Sequence, residues 1–357
     1  MKTPHHTKIH NRFRLNGYSF STGDLKEIGY DYIKEGALYE QSIGHFIMDW
    51  MDKEDFILVK TSGSTGDPKR IPISKQAMVS SAIRTGNFFN VNIGDSALHC
   101  LPADFIAGKM MLVRAMILGL SLELVKPSAH PMKDLYRFYD FAAMTPMQAY
   151  HSLDRLHQIK TLIIGGAPIS AALQEQLVAI HSNCYETYGM TETITHIATR
   201  RIALPQKPFQ ALEGIHLNTD AEGCLMIDAP DISDQRITTH DLVELHDKNT
   251  FTYLGRKDHV VNSGGFKISP EMVEKKLSRY LELPFFLHGI PDTILGQKLV
   301  LVVEGDPSQS EVVMAQLATC KSLKKHEKPK TVFFTPEILK NNGKYLRKKT
   351  MAQLGQV

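Results

Sequence analysis

Residues 160–193, KTLIIGGAPISAALQEQLVAIHSNCYETYGMTET, decide the predicted fold. The apolar run TLII predicts a buried strand, the glycines after it a tight turn, and the following segment has helical spacing. NCYETYG then predicts a second strand that runs into a polar turn. A strand, a helix and a second strand in this order form a right-handed βαβ unit with parallel strands.

The same alternation of strand and helix patterns extends outward over about residues 55–200. FILV predicts a strand, SKQAMVSSAIRTGNFFN a helix with Ser74 as its N-cap, SALHCLPA a strand, GKMMLVRAMILG a buried helix that ends at Gly119, and LELV a strand. We therefore expect a largely parallel sheet in this part of the chain. After about residue 205 short strands and turns predominate, which predicts a sheet-rich and more antiparallel subdomain.

The last hundred residues change again. Ser269 and Pro270 predict the start of a helix, and patterns of a strand, a helix and a strand follow it. We therefore predict an α/β protein of two domains. Residues 1–257 would form a large N-terminal domain with parallel βαβ sheets and the sheet-rich subdomain, and residues 258–357 a small, mobile α+β C-terminal domain.

Length and composition exclude several classes of protein. A chain of 357 residues suits two domains, and its net charge of +3 is too small for nucleic-acid binding through a bulk positive surface. The four cysteines form no C-x-x-C pair, so neither a zinc site nor a disulfide framework is expected. Because no secretory signal or membrane-spanning run is evident, we expect a cytoplasmic protein. Its oligomeric state is left open.

TSGSTGDPK, residues 61–69, has the composition of a phosphate-binding loop. Hydroxyl groups, glycines that let backbone N–H groups approach an anion, and one lysine occur together. The loop does not match the common pattern G-x-x-x-x-G-K-[ST], and an ordinary glycine–serine turn has a similar composition. The candidate phosphate-binding residues are Thr61, Ser62, Gly63, Ser64, Thr65, Gly66 and Lys69.

Four motifs occur in one order along the chain: TSGSTGDPK (61–69), YGMTE (188–192), GRKDHVVNSGGFKISP (255–270) and NGKYLRK (342–348). With them the sequence resembles the acyl- and aryl-adenylate-forming superfamily, which includes acyl-CoA synthetases, peptide-synthetase adenylation domains and luciferases. The resemblance covers about residues 55–350. It implies a reaction in two halves. A carboxylate attacks the α-phosphate of ATP and releases pyrophosphate, and a thiol, usually that of coenzyme A, then displaces AMP.

The resemblance implies nucleotide-binding roles for several of these residues. The loop at 61–69 would hold the β- and γ-phosphates of the leaving pyrophosphate. Tyr188 would stack on adenine, Thr191 would contact the α-phosphate, and Glu192 would bind Mg²⁺, an ion that prefers oxygen ligands. The positions that match the family's adenine pocket and ribose contacts are Gly165, Gly166, Ala167, Asp241 and Arg256.

The resemblance also explains why two distant segments would carry chemistry. Asp258 matches the hinge about which the C-terminal domain rotates between the two half-reactions. Lys344 would stabilise the charge that develops on the carboxylate and the α-phosphate in the first half-reaction. Gly264 and Gly265 would leave room for the pantetheine arm of coenzyme A in the second. His240 stands where the family usually has the glycine of T-G-D, so the local turn departs from the family pattern.

The identity of the acid is less clearly encoded. The segment before residue 61 is short for the superfamily, so we expect a compact form, and VNSGGFKISP most resembles the o-succinylbenzoate–CoA ligases of menaquinone biosynthesis. Their substrate carries a second carboxylate, which should require a cation in the acyl pocket. By resemblance Gly189 borders that pocket, and Phe105 replaces a family histidine. The candidate residues for the acyl group and its free carboxylate are Phe105, Gly108, Lys109, Arg114, Gly189, Thr195, His196 and Arg200.

Three alternatives stay open. The chain would be another small aryl- or short-chain acyl-CoA ligase, or an adenylating enzyme that loads the thiol of a carrier protein. A third alternative is a nucleotide-binding regulatory protein with a decayed catalytic site. That last class predicts the loss of Lys344 or Glu192, and both residues are present.

Overall fold

The computed structural model describes residues 3–60, 70–180, 182–341 and 343–356, so the predicted phosphate-binding loop at 61–69 lies outside the described residues. The backbone divides into two compact units, each described here by itself. The first unit is Met1–Pro168, Gln176–Leu217 and Ile227–Ile237, and the second is Ile169–Glu175, Asn218–Met226 and Thr238–Val357. The predicted domain boundary at residues 257–258 and the predicted hinge at Asp258 stay predictions.

The first part of the chain contains the parallel sheet that the sequence predicts. Ser96–His99 pairs in parallel with Ser121–Leu124 and with Tyr139–Met144, Tyr139–Met144 pairs with Ile159–Ile164, and Ile159–Ile164 pairs with Asn183–Gly189. The elements up to residue 211 are β1 (Arg14–Leu15), β2 (Tyr18–Ser19), α1 (Thr22–Glu35), α2 (Leu38–Met51), β3 (Phe56–Lys60), β4 (Arg70–Ser74), α3 (Lys75–Phe89), β5 (Ser96–His99), α4 (Ile106–Leu118), β6 (Ser121–Leu124), β7 (Tyr139–Met144), α5 (Pro146–Tyr150), β8 (Ile159–Ile164), α6 (Ala171–Val178), β9 (Asn183–Gly189), β10 (His196–Arg201) and β11 (Phe209–Ala211).

Both edges of this parallel core carry antiparallel strands. β10 pairs antiparallel with β9 and with β11, and β1 pairs in parallel with β6 and antiparallel with β2. The strand predicted at FILV is β3, but its assignment to the parallel sheet was wrong. β3 forms a separate antiparallel pair with β4, in which Phe56 lies opposite Ser74. The sequence RIPIS of β4 contains a proline. Because proline is depleted in strands, the sequence pattern did not predict β4 as the partner of β3.

The N-terminal region contributes two helices that the sequence patterns did not predict. Ser21 caps α1, and α2 buries one face that includes Phe46 and Trp50. α1 and α2 pack against each other, and α2 joins the core beneath the sheet. In the parts of the chain that are described, no helix is long and apolar enough to cross a membrane.

Helices α3 and α4 pack together and confirm their predicted ends. The Ser74 hydroxyl caps α3 by accepting from the backbone N–H of Ala77 at 3.3 Å, and Gly119 ends α4 with φ 72°. Both helices bury polar side chains among apolar ones, including Thr85 on α3 and Arg114 on α4. A buried guanidinium is costly unless it is paired, so Arg114 requires an explanation other than packing.

From residue 216 onward the chain is rich in short strands, as predicted. Four of these strands are neighbours in one sheet, in the order His216–Thr219, Cys224–Asp228, Ile237–Leu245 and Thr250–Arg256, and the last two are antiparallel. These later elements are β12 (His216–Thr219), β13 (Cys224–Asp228), β14 (Ile237–Leu245), β15 (Thr250–Arg256), β16 (Val261–Ser263), β17 (Phe266–Ile268), α7 (Pro270–Leu277), β18 (Phe285–Asp292), β19 (Gly296–Glu304), α8 (Ser310–Thr319), β20 (Thr331–Thr335), β21 (Lys340–Asn341), β22 (Lys344–Tyr345) and α9 (Arg347–Gln353).

The last hundred residues form a small sheet with helices, in agreement with the predicted α+β pattern. The strand order is β17-β16-β19-β18, and β20 pairs in parallel with β19. Ser269 caps α7 at its predicted start, with its hydroxyl accepting from the backbone N–H of Met272 at 3.5 Å. Leu287 and Leu301 belong to the apolar core of this sheet.

Candidate active site

The YGMTE motif runs from the end of β9 into a turn. Tyr188 is half-buried, and its ring centroid lies 5.9 Å from that of Phe209. Gly189 lies opposite His196 on β10, and a Cβ at Gly189 would lie 2.3 Å from the carbonyl oxygen of Thr195. Only glycine fits there. The close strand pairing therefore brings Thr195 and His196 next to the motif.

Thr191 and Glu192 lie in a single 3₁₀ turn, Thr191–Thr193. The fully buried Thr193 holds this turn, because its hydroxyl accepts from the N–H of Met190 at 2.9 Å and lies 3.0 Å from the Met190 carbonyl oxygen. Glu192 is exposed. The turn thus fixes the backbone while it leaves the Glu192 carboxylate open to a ligand.

Ile194, directly after this turn, has a strained backbone. Its φ is 66°, and the N–H of Thr195 donates to the carbonyl oxygen of Thr193 at 2.7 Å, which closes a γ-turn of the rare, positive-φ form. Positive φ is unfavourable for a β-branched side chain. The Ile194 side chain is buried in the core of the first unit, so packing holds the strained turn in place.

The glycines after β8 lie at the same edge of the sheet as YGMTE. The N–H of Gly165 donates to the carbonyl oxygen of Met144 at the end of β7, at 3.1 Å. The hydroxyl of Thr187 on β9 donates to the carbonyl oxygen of Ile164 at 3.2 Å. Open α/β sheets bind ligands at the carboxyl ends of their parallel strands. The fold therefore brings Gly165, Gly166 and Ala167 to the edge that carries Tyr188, and their contact with adenine stays a prediction.

Arg114 on α4 reaches the strand that faces the motif. Its side chain is 2% exposed, and Nη2 donates to the hydroxyl of Thr195 at 3.0 Å. Nη1 lies 3.6 Å from the sulfur of Met111, Nε has no hydrogen-bond partner, and no ion pair to Arg114 is formed within the described ranges. Burial lowers the pKa of Arg114 to about 9. Among the described residues, this buried cation therefore has no anionic partner.

His196 adjoins the same arginine through Thr195. Its Nδ1 lies 3.4 Å from the Thr195 hydroxyl and its Nε2 lies 3.4 Å from the hydroxyl of Thr85 on α3. Burial holds the pKa of His196 well below its usual value, and the charges of Arg114 and Arg84 lower it further. The ring is therefore neutral at physiological pH.

The other candidates for the acyl pocket lie elsewhere or are already paired. Lys109 is buried, and its ammonium lies over the Phe46 ring of α2 at 5.1 Å from the centroid. Arg200 forms an ion pair with Glu186, with 2.6 Å between Nη2 and Oε2. Of the three cationic candidates, Arg114 is therefore the one that lies beside Thr195 and His196. It has no charged partner in the described structure.

The predicted aromatic slot before α4 has a packing explanation of its own. Phe105 is 39% exposed and precedes the first turn of the helix. A Cβ at Gly108 would lie 2.2 Å from the carbonyl oxygen of Pro102, so glycine lets the helix approach that segment. A role of either residue in holding an acyl group stays a prediction.

In the second unit the predicted ribose and hinge residues form one charged group. Asp241 and Arg256 lie opposite each other on β14 and β15, with 3.7 Å between Arg256 Nη1 and the Asp241 carboxylate. Arg256 Nη2 donates to Asp258 at 2.7 Å, and His240 Nδ1 lies 2.8 Å from the other Asp258 oxygen. Burial would raise the pKa of Asp258, but the hydrogen bonds from Arg256 and His240 outweigh burial and hold it at about 2. The family departure at His240 thus contacts the predicted hinge.

The SGGF glycines form the turn between β16 and β17. Gly264 has φ 56° and Gly265 has φ 84°, which matches the two-residue hairpin turn that requires positive φ at both positions. The hairpin alone therefore accounts for both glycines. Their proposed contact with coenzyme A stays a prediction.

Lys344 begins β22, and its side chain is exposed. Arg347, three residues later, is 10% exposed and forms a bidentate pair with Glu274 of α7, at 2.6 and 2.9 Å. Arg347 also donates to the carbonyl oxygen of Leu287 at 2.7 Å, and Glu271 lies 3.5 Å away. These contacts fasten the segment that carries Lys344 to the small sheet.

A magnesium site would have to be completed by a substrate. Among the residues that the structure describes, no three His, Cys, Asp or Glu side chains are grouped as metal ligands would be. Mg²⁺ in nucleotide sites commonly takes one or two carboxylates together with phosphates and water. The exposed carboxylate of Glu192 fits that requirement.

Sequence reasoning missed Thr85 as a member of the site. The signal was present, because Ser81 and Thr85 fall on the otherwise apolar face of the predicted helix α3. The fold brings that face to β10, which a single helical pattern does not reveal.

Comparison with known proteins identifies the family. Residues 30–216, more than half of the chain, match the model of the AMP-binding enzymes. A 2-succinylbenzoate–CoA ligase of Bacillus cereus is 25% identical, over 94% of this chain and 77% of the relative.

Solved structures agree. An acyl-CoA synthetase (AMP-forming)/AMP-acid ligase II-like protein from Dyadobacter fermentans DSM 18053 is 32% identical with a TM-score of 0.61, over 92% of this chain and 98% of that one. O-succinylbenzoate coenzyme A synthetase from Bacillus subtilis, in complex with ATP and magnesium, is 20% identical, with a TM-score of 0.70 and coverage of 82% and 69%. ATP-bound MatB from Rhodopseudomonas palustris is also 20% identical, with a TM-score of 0.72, over 84% of this chain and 68% of that one. At 20% identity, these last two structures show a shared fold alone. The chain therefore belongs to the AMP-binding enzymes and is an AMP-forming acyl-CoA ligase.

Proposed function

We propose that this enzyme is a 2-succinylbenzoate–CoA ligase that serves menaquinone biosynthesis. It would adenylate one carboxylate of the acid with release of pyrophosphate, and then transfer the acyl group to coenzyme A with release of AMP. The observation that carries the proposal is the buried Arg114 guanidinium, which lacks a charged partner within the described residues and lies beside Thr195 and His196.

The energetics of Arg114 favour a substrate with a second anion. An unpaired buried charge is destabilising, whereas a charge-assisted pair with a carboxylate is among the stronger polar interactions in proteins. A free carboxylate on the acyl group would supply the missing charge. Curated relatives such as the Bacillus cereus enzyme carry the name of an acid with two carboxylates, which supports the same choice.

The roles in adenylation follow the family assignment. The loop at 61–69 binds the departing pyrophosphate, Tyr188 stacks on adenine, and Thr191 contacts the α-phosphate. Mg²⁺, when bound, would neutralise phosphate charge, and Glu192 would be its carboxylate ligand. Asp241 and Arg256 would bind the ribose, and their existing pairing at 3.7 Å orients both groups.

Lys344 would act in the first half-reaction, as the cation that stabilises the developing charge on the carboxylate and the α-phosphate. In the second half-reaction the SGG turn would face the acyl-adenylate as the thiol of coenzyme A attacks it and displaces AMP, with Asp258 as the hinge between the two half-reactions. The exposed position of Lys344, on a segment fastened by Arg347, suits a group that must meet a substrate.

A panel of acids in an ATP–pyrophosphate exchange assay tests the proposal. With 2-succinylbenzoate, benzoate, hexanoate and acetate as substrates, we expect 2-succinylbenzoate to give the highest kcat/KM. Arg114→Gln should raise the KM for 2-succinylbenzoate at least tenfold and leave the KM for ATP within about twofold, because one charge-assisted contact is lost. Faster exchange with benzoate or hexanoate, or an unchanged KM in the variant, would overturn the assignment.

A further inference from the structure

The buried side chains behind Arg114 form a continuous run of hydrogen bonds between α4, β10 and α3. It consists of the Arg114 guanidinium, the Thr195 hydroxyl, the His196 ring, the Thr85 hydroxyl and the Ser81 carbonyl oxygen. The four consecutive distances are 3.0, 3.4, 3.4 and 3.0 Å. Each group has a limited number of donors, so the direction of every bond can be worked out.

The far end of the run fixes the direction. The fully buried Thr85 hydroxyl has one proton, and it donates that proton to the carbonyl oxygen of Ser81 one helical turn earlier. It can therefore only accept from His196. Nε2 of His196, at 3.4 Å, must then carry the ring proton.

The near end follows from the same reasoning. A neutral histidine with its proton on Nε2 has a bare Nδ1, which accepts a hydrogen bond. The Thr195 hydroxyl must donate its only proton to that nitrogen, so its lone pairs face Arg114 and accept from Nη2. The low pKa of His196 agrees with this order, because a protonated ring would donate from both nitrogens.

The surroundings of His196 favour this order. Phe89 contacts the ring edge-on with centroids 6.0 Å apart, so one side of the ring is apolar. Arg84, the other nearby cation, is already occupied by the carbonyl oxygen of Glu213 at 2.7 Å and by Asp231 at 3.5 Å. Arg114 is thus the cation to which this run of hydrogen bonds leads. Its Nε has no hydrogen-bond partner in the described part of the chain.

We propose that Thr85 and His196 are positioning residues, which act through Thr195 to orient the Arg114 guanidinium toward the acidic second group of the acyl substrate. The proposal rests on the proposed function, because it takes the substrate to carry that second carboxylate. Histidine here is a neutral, directional relay rather than a proton donor to the substrate. Specificity for dicarboxylic acids would then depend on a threonine that does not touch the substrate.

Thr85→Val tests the relay, because it keeps the shape and removes the acceptor for His196. We expect the KM for 2-succinylbenzoate to rise about tenfold while kcat and the KM for ATP stay within twofold, since the guanidinium is misoriented rather than lost. Thr85→Ser should restore the original KM. Thr199→Val is the matched control, since Thr199 is also buried and donates to a backbone carbonyl, that of Glu186 at 3.0 Å, and should leave the KM unchanged.

A spectroscopic measurement tests the direction of the run without any substrate. In ¹⁵N NMR of histidine-labelled enzyme, with the His196 signal assigned by its loss in His196→Asn, we expect a neutral ring protonated on Nε2. Thr85→Val should shift the tautomer population toward Nδ1–H, and Thr199→Val should not. A ring protonated on Nδ1 in the unaltered enzyme would overturn the inference.

The two proposals fail in different ways. If Arg114→Gln raises the KM and Thr85→Val does not, the relay is wrong and the dicarboxylate assignment stands. If the enzyme prefers a monocarboxylic acid, the proposed function falls, and a specificity role for the relay falls with it. In that case the tautomer measurement still decides whether the hydrogen bonds run as inferred.

Discussion

Arg114 in the first unit and Arg347 in the second are both largely removed from water, but their surroundings are opposite. Arg347 pairs with Glu274 and lies near Glu271, and these acids outweigh the effect of burial and raise its pKa. Arg114 has a threonine and a methionine sulfur as partners, and burial lowers its pKa to about 9. One cation is neutralised by its own chain, whereas the other is not within the described residues.

This difference is the one expected between a cation with a structural role and a cation that binds a charged ligand. A buried cation that is paired with an acid of the same chain helps to hold the paired elements together, and its removal leaves that acid unpaired. A buried cation without an anionic partner destabilises the fold, and an anionic ligand that pairs with it can restore the lost stability. Stability and activity should therefore respond in opposite ways when each arginine is replaced by the same residue.

Arg347→Met should have the largest effect on stability. It leaves the largely buried carboxylate of Glu274 without its cation, which we expect to destabilise the small C-terminal sheet by about 3 kcal/mol. Hydrogen exchange measured by mass spectrometry over α7 and α9 reports this loss locally. Unchanged protection of both helices would contradict a structural role for Arg347.

Lys344→Ala should have the largest effect on chemistry, because in the proposed function Lys344 is the cation that contacts the reacting carboxylate and α-phosphate. We expect adenylate formation to fall about 10²–10³-fold, the size typical of one electrostatic contact in a transition state. Thioester formation from preformed acyl-adenylate should be spared. Rapid-quench assays of each half-reaction distinguish the two, and an equal loss in both would refute this division of labour.

Lys69→Ala, in the loop at 61–69, should impair adenylation less than Lys344→Ala, and the reverse ranking would overturn the choice of Lys344.

Arg114→Met should separate stability from activity. Removal of an unpaired buried charge is expected to raise the free energy of unfolding by about 1 kcal/mol, while the KM for 2-succinylbenzoate rises at least tenfold. Trp50, the single tryptophan of the chain, is buried in the first unit, so its fluorescence during urea unfolding reports the relevant transition. A clear loss of stability would place Arg114 in the same class as Arg347.

His240→Gly, which restores the glycine that is usual in the family, should have the smallest effect of these substitutions. The folded pKa of Asp258, about 2, is below its ordinary value near 4, so its contribution to stability is present above pH 4 and is lost as the pH falls toward 2. Without His240 the pKa of Asp258 should rise, and that loss should begin at a higher pH. A carboxyl-carbon NMR titration checks the shift, and an unmoved pKa would show that Arg256 alone holds Asp258.

Local patterns in the sequence determined most of the fold correctly. The apolar runs at β5, β6, β8 and β9 and the caps at Ser74 and Ser269 depend on neighbouring residues, so they can be predicted from one sequence. β7 was missed because FAAM contains no β-branched residue, and β3 was misassigned because its proline-containing partner lies beyond the phosphate loop. Pairing across such a distance depends on the folded structure.

The site was predictable in its residue types but not in its internal contacts. Gly189, His196 and Arg114 were all candidates, yet nothing local showed that Arg114 rather than Lys109 would reach Thr195. On α4 the two side chains point to different neighbours, Lys109 to Phe46 and Arg114 to β10. A helix buried on nearly all sides gives no amphipathic pattern from which to choose between them.

The strained turn at Ile194 has a consequence for how this enzyme can evolve. A positive φ at a β-branched residue persists only while the surrounding core holds it, and that core includes residues of α3 and α4 that are distant from YGMTE in the sequence. Core substitutions that merely loosen packing would let the turn relax and displace Thr191 and Glu192. Laboratory selection for new acids should therefore recover such distant changes, which alter turnover before they alter the melting temperature.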